Sequence, residues 1–119
     1  MRLELGFMTQ VINALLRCEC DTVALPPFEY IPEAELWVFD LDVPPECPVE
    51  MGLDRIKDRL SKHRETLSGA RKIASRIVLH ISFDLKQRSA SAIILFDPEL
   101  LNLIVEIGIS LEIQIASEA

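Results

Sequence analysis

Acyl or phosphoryl chemistry by a side-chain nucleophile needs a Ser or Cys beside a His and an orienting acid. This chain offers two histidines for that role, His63 and His80. His80 falls in the alternating run Arg76–Leu85, where His80, Ser82 and Asp84 share one face with Val78, and Ile77, Leu79, Ile81, Phe83 and Leu85 share the other. Neighbours two apart on a strand project in parallel, so this trio is not expected to converge on a substrate. There is no Gly-x-Ser-x-Gly elbow. Gly6, Gly52, Gly69 and Gly108 stand singly, which leaves no phosphate-cradling loop. The expectation is a chain with no catalytic residues, and not an enzyme.

Metal chemistry is little better served. Cys18, Cys20 and Cys47 lack the paired spacing of a zinc site, and an odd count of thiols suits a reducing compartment. Asp40, Asp42 and Asp84 are oxygen donors suited to a hard cation. Asp40 and Asp42, however, stand about 7 Å apart along one strand by its rise per residue, too far for that pair to chelate alone. No metal and no cofactor is expected.

The best candidate is a surface. With the strand faces assigned by alternation, Asp40, Asp42, His80, Asp84 and Glu112, together with Ser82 and Gln114, all point away from the helices. Antiparallel sheets commonly leave one face to water. The net charge of −7 argues against nucleic acid as a partner, because phosphate contacts need clustered Lys and Arg. It favours a basic protein, such as a nuclease toxin with a cationic active site, whose association complementary charge would speed. Plain solvation of an open face is the bland alternative. A reading from another class is a small regulatory homodimer holding an effector between subunits, with Ile93 and Leu95 supplying a buried sheet face.

The elements that must position these residues are legible to different degrees. Arg2–Leu5 reads as a short strand, and from Met8 the spacing of Val11, Ile12, Leu15 and Leu16 predicts a helix ending near Cys18–Asp21. Thr22–Ala34, with Pro26, Pro27 and Pro32, reads as loop. Glu35–Val43 alternates as a strand with Trp37, Phe39, Leu41 and Val43 inward. From Met51 to Arg71 the stripe Leu53, Ile56, Leu60, His63, Leu67 and Ala70 predicts a helix, with His63 packed at the core's edge. Arg76–Leu85 and Ala90–Phe96 are expected to form an antiparallel hairpin across Lys86–Ser89. Asp97 is an N-cap, Pro98 takes the first helical position, and Gly108 is a left-handed C-terminal cap before the alternating strand Ser110–Ser117.

Together these predict one α+β domain over residues 1–119, with a ferredoxin-like (split β-α-β) antiparallel sheet, its helices on one face, and an added N-terminal strand and helix. No apolar run approaches the roughly 18 residues of a membrane span. With Glu4 soon after Arg2 and no small-residue cleavage site, the chain reads as mature and cytoplasmic. Asp97-Pro98-Glu99-Leu100-Leu101, the run Ile107-Gly108-Ile109-Ser110-Leu111-Glu112-Ile113, His63-Arg64-Glu65 and Trp37 resemble a family of small bacterial proteins known only as domain of unknown function 4279. The resemblance covers the last third best. It implies a small accessory protein, some of whose relatives are suspected of immunity-type roles, and it carries no catalytic residue across.

Overall fold

The computed structural model describes residues 2–6, 9–18, 25–44, 47–74, 76–85 and 91–117. In chain order these form β1 (Arg2–Gly6), β2 (Thr9–Cys18), β3 (Glu29–Ile31), β4 (Leu36–Asp40), β5 (Cys47–Pro48), α1 (Val49–Lys62), α2 (Arg64–Ile73), β6 (Ile77–Leu85), β7 (Ser91–Leu95), α3 (Pro98–Ile107) and β8 (Ile109–Ser117). One mixed sheet has the order β3-β4-β2-β6-β8, with β5 added against β2. All its pairs are antiparallel except β6 with β8. β1 and β7 pair antiparallel with each other outside it.

The sheet's two faces differ in kind. Ala14, Leu16 and Cys18 of β2, Trp37 and Phe39 of β4, and Ile77, Leu79, Ile81 and Phe83 of β6 belong to one buried cluster. Leu53, Ile56 and Leu60 of α1, Leu67 and Ala70 of α2, and Leu100, Ile104 and Ile107 of α3 join that cluster, so the three helices lie on this single face. Each fully buried Leu, Ile or Phe supplies about 1.5–3 kcal/mol of transfer free energy.

The segment from Met8 expected to be helical is instead the central strand β2, in part because two apolar doublets four residues apart fit either period. In a strand, Leu16 enters the core while its neighbours Leu15 and Arg17 emerge, half-buried, on the opposite face. β2 is flanked on both edges, by β4 and by β6, and with apolar Leu15 on the open face the strict alternation is lost. Its register against β6 shifts between Val11 and Asn13, which blurs the period further.

This placement changes the topology. β4 and β6, joined through α1 and α2, run parallel with β2 inserted between them. The second crossover, β6–α3–β8, is not split: its strands are adjacent and parallel. The hairpin expected between Arg76–Leu85 and Ala90–Phe96 is replaced by the β1–β7 pair, and the expected connection Lys86–Ser89 lies outside the described residues. The fold is α+β, but its sheet is mixed rather than the antiparallel ferredoxin-like sheet expected from order alone. β3, in the segment expected to be loop, forms a short edge hairpin with β4.

Side-chain N-capping is seen at α3 and not at α1 or α2. α1 begins directly after Pro48, and a turn at His63 (φ −106°, ψ 16°) divides what reads as one helix into α1 and α2. The His63 ring packs edge-on against Phe39, with centroids 5.0 Å apart. Burial, with Arg59 and Lys62 nearby, holds its pKa below the usual 6.5, so it is neutral at neutral pH. The Asp97 carboxylate accepts from the Glu99 N–H at 2.9 Å, Pro98 starts α3, and Gly108 ends it at φ +87°. Lys57 of α1 donates to Asp97 at 2.9 Å, tying the two helices together.

A strand and a helix at β2 differ in what truncation costs. Leu16→Ala should cost about 2–5 kcal/mol as a fully buried residue, and Leu15→Ala only about 1 kcal/mol or less. Urea denaturation of both variants checks this, since a helical stripe would make the two losses comparable.

Candidate binding face of the sheet

Directly paired residues on neighbouring strands share a face, so the ladders assemble rows on the side away from the helices. One row reads Asp40–Leu15–His80–Glu112 across β4, β2, β6 and β8. The next reads Val38–Arg17–Val78–Ser110, and on the other side Asn13–Ser82–Gln114. Glu29 of β3 extends the Val38 row to the sheet's edge.

At the centre of these rows the side chains are joined. Arg17 reaches across β6 from the neighbouring row to donate to Glu112 Oε2 at 2.8 Å. The other carboxylate oxygen, Oε1, lies 2.6 Å from His80 Nδ1, and His80 Nε2 lies 3.0 Å from Ser82 Oγ. With Glu112 ionised, Nδ1–H donates to it, while Nε2 is in hydrogen-bond range of the Ser82 hydroxyl, which can either donate or accept. The His80 hydrogen bond is the main cause holding the Glu112 carboxyl below its ordinary 4.5, with Arg17 adding to it against partial desolvation. The chain Arg17–Glu112–His80–Ser82 thus fixes four side chains from β2, β6 and β8 in one orientation.

Ser, His and Glu in this order have the connectivity of a hydrolase triad. The surroundings differ from one. Ser82 is only 7% exposed, and β6 is laddered on both sides, by β2 and by β8. Its backbone N–H groups are therefore committed to the sheet and do not form the donor pair that a developing oxyanion needs. The network pairs the Glu112 carboxylate with Arg17 and orders His80 and Ser82 beside it.

Of the residues expected on this surface, Asp40, His80 and Glu112 fall in one row. Asp42 does not join them, because the strand ends at Asp40. Asp42 takes a left-handed conformation (φ 54°), its N–H bonds Asp40 Oδ1 at 2.8 Å, and its carboxylate meets Arg59 of α1 at 3.3 Å, toward the helix layer. Asp84 is placed by its backbone opposite Gln10 and Ala116, and its side chain lies outside the described residues. Arg17 was missed as a functional residue because a helical reading of its segment gives it no fixed relation to His80 or Glu112.

A second polar region lies on the helix side, where Asp54, Lys57, Asp58, Ser61, Glu99 and Leu103 line a groove between α1 and α3. Lys57 is held there by Asp97, Glu99 and Asp54. Among the described residues no group of three or more His, Cys, Asp and Glu side chains could hold a metal ion, and no helix is long and apolar enough to cross a membrane. Cys18 and Cys47 are both buried, and Cys20 lies outside the described residues. No protein-family model, no curated protein and no solved structure matches the chain.

The depressed Glu112 pKa sets a sign for acid stability. Ionised Glu112 stabilises the fold fully above its unfolded value of 4.5, and that contribution is lost as pH falls through the lower folded value. Wild type should be the more stable at neutral pH, and Glu112→Gln should match it in strong acid, with melting curves across that range as the check.

Proposed function

We propose that this domain is a non-enzymatic protein-binding module of immunity or antitoxin type, docking a basic partner on the helix-free face of its sheet. The observation that carries the reading is the fixed Arg17–Glu112–His80–Ser82 patch at the middle of that face. Around it lie half-buried Leu15, Leu36, Val38 and Ile31, with exposed Glu29, Asp40 and Gln114 at the margin. A rigid mixed centre with a polar rim is the anatomy of a protein interface. Prepaid ordering of those side chains lowers the entropy cost of docking. The net charge of −7 and the exposed rim carboxylates favour a basic partner by long-range steering.

Charge reversal tests the surface. The double variant Glu29→Lys, Asp40→Lys should lose roughly tenfold or more of its affinity for a stoichiometric basic partner captured from the host lysate. Asp54→Lys, Asp58→Lys, on the helix side, should retain it. Loss in the helix-side variant alone would move the docking site to the α1–α3 groove. A fluorophosphonate probe, which labels activated serines, should leave Ser82 unmodified, and stoichiometric labelling abolished by Ser82→Ala would contradict the non-enzymatic reading.

A further inference from the structure

The sheet's two edges are unlike. β3, at one end, is three residues long, with Pro26 and Pro27 shortly before it and Pro32 directly after it. Short strands and prolines are how natural sheets blunt an edge. β8, at the other end, is nine residues long and is laddered only to β6 among the described residues. It contains no Pro, no Lys and no register shift against its neighbour. Its one charged residue, Glu112, is already engaged by Arg17 and His80.

The helix above this edge is apolar on the matching flank. Glu99 and Leu103 of α3 line the groove with α1, and Glu106 meets Arg64 of α2 at 3.7 Å, so these residues mark the flank turned toward the other helices. At about 100° per residue, Leu101 and Val105 fall on the opposite flank, four residues apart on one side. α1 packs on β2 and α3 on β8, which puts that far flank over the β8 edge. Val105 is 78% exposed and Ile115 of β8 is 45% exposed, while Leu101, Leu111 and Ile113 are half-buried. Unpaired ladder groups and an apolar seam thus run along the same side of the molecule.

We propose that β8 pairs antiparallel with β8 of a second copy of this chain about a two-fold axis, with the outer flanks of the two α3 helices packed together. The register supports a copy of itself as occupant. Centred on Ile113, self-pairing sets Leu111 of each copy opposite Ile115 of the other, and Glu112 opposite Gln114, so no like charges face each other and an amide donor meets the carboxylate. A basic partner has no reason to choose this seam, because among the described residues it presents no uncommitted acid. The proposal is independent of the docking face, which the continuous sheet would leave open on both copies.

Sedimentation equilibrium over a dilution series tests it. Wild type should have twice the 13.4 kDa chain mass at high concentration and dissociate on dilution. Val105→Glu and Gln114→Glu, each at an exposed position, should weaken the dimer by roughly tenfold or more, because the second sets Glu against Glu112 across the axis. Met51→Glu, also at an exposed position but on α1, should dimerise as wild type. A monomer at every concentration would overturn the proposal, as would a dimer indifferent to both seam variants or broken equally by Met51→Glu. Retained capture of a basic partner by Val105→Glu, which lies on α3 and off the helix-free face, would separate this surface from the docking face.

Discussion

The structure turns on one insertion: β2 lies between β4 and β6 and is antiparallel to both. Because β4 and β6 are then parallel and not adjacent, the chain between them must cross over a strand, and α1 and α2 make that crossing on the face where Leu16, Phe39 and Leu79 are buried. β2 also sends Arg17 to the other face, where it reaches over β6 to Glu112. Core and candidate surface therefore depend on the same strand, with consecutive residues Leu16 and Arg17 serving one each.

The parts legible in the sequence are those whose signals are local. Asp97, Pro98 and Gly108 define α3 by capping chemistry that depends on no distant contact. The alternation of β6 announces its faces before any partner is known, and His80 and Glu112 could be assigned to one face for the same reason. Non-local features were hidden. Whether Val11–Leu16 is helix or strand is decided by whether strands flank it, which no short window records. β7 is apolar enough to be a strand, but its choice of β1 over β6 is a matter of long-range pairing. Asp42 has the right parity for the open face, and only a left-handed turn, anchored by Asp40, sends its carboxylate to Arg59.

The candidate surface differs in character from a simple acidic sheet. Glu112 is ion-paired with Arg17 and hydrogen-bonded to His80, and Asp40 is partly engaged by its own turn. The remaining exposed acids stand at the rim, and the centre is a rigid polar patch among half-buried aliphatic side chains. In the docking proposed for this face, steering and recognition would be divided, the rim acting at long range through charge and the centre at contact through fixed hydrogen-bond geometry. The β8 seam, almost without uncommitted charge, is suited to a different kind of contact.

The position of β2 is tested most directly by NMR on the isotopically labelled chain. Cross-strand contacts should link Leu15 with His80 and with Asp40, Leu16 should neighbour Leu79 and Phe39, and the amides of Ala14–Cys18 should exchange about as slowly as those of the β6 core. Sequential helical contacts three and four residues apart through Val11–Cys18, with no contacts to β6, would contradict the central strand and with it both the topology and the Arg17–Glu112–His80–Ser82 surface.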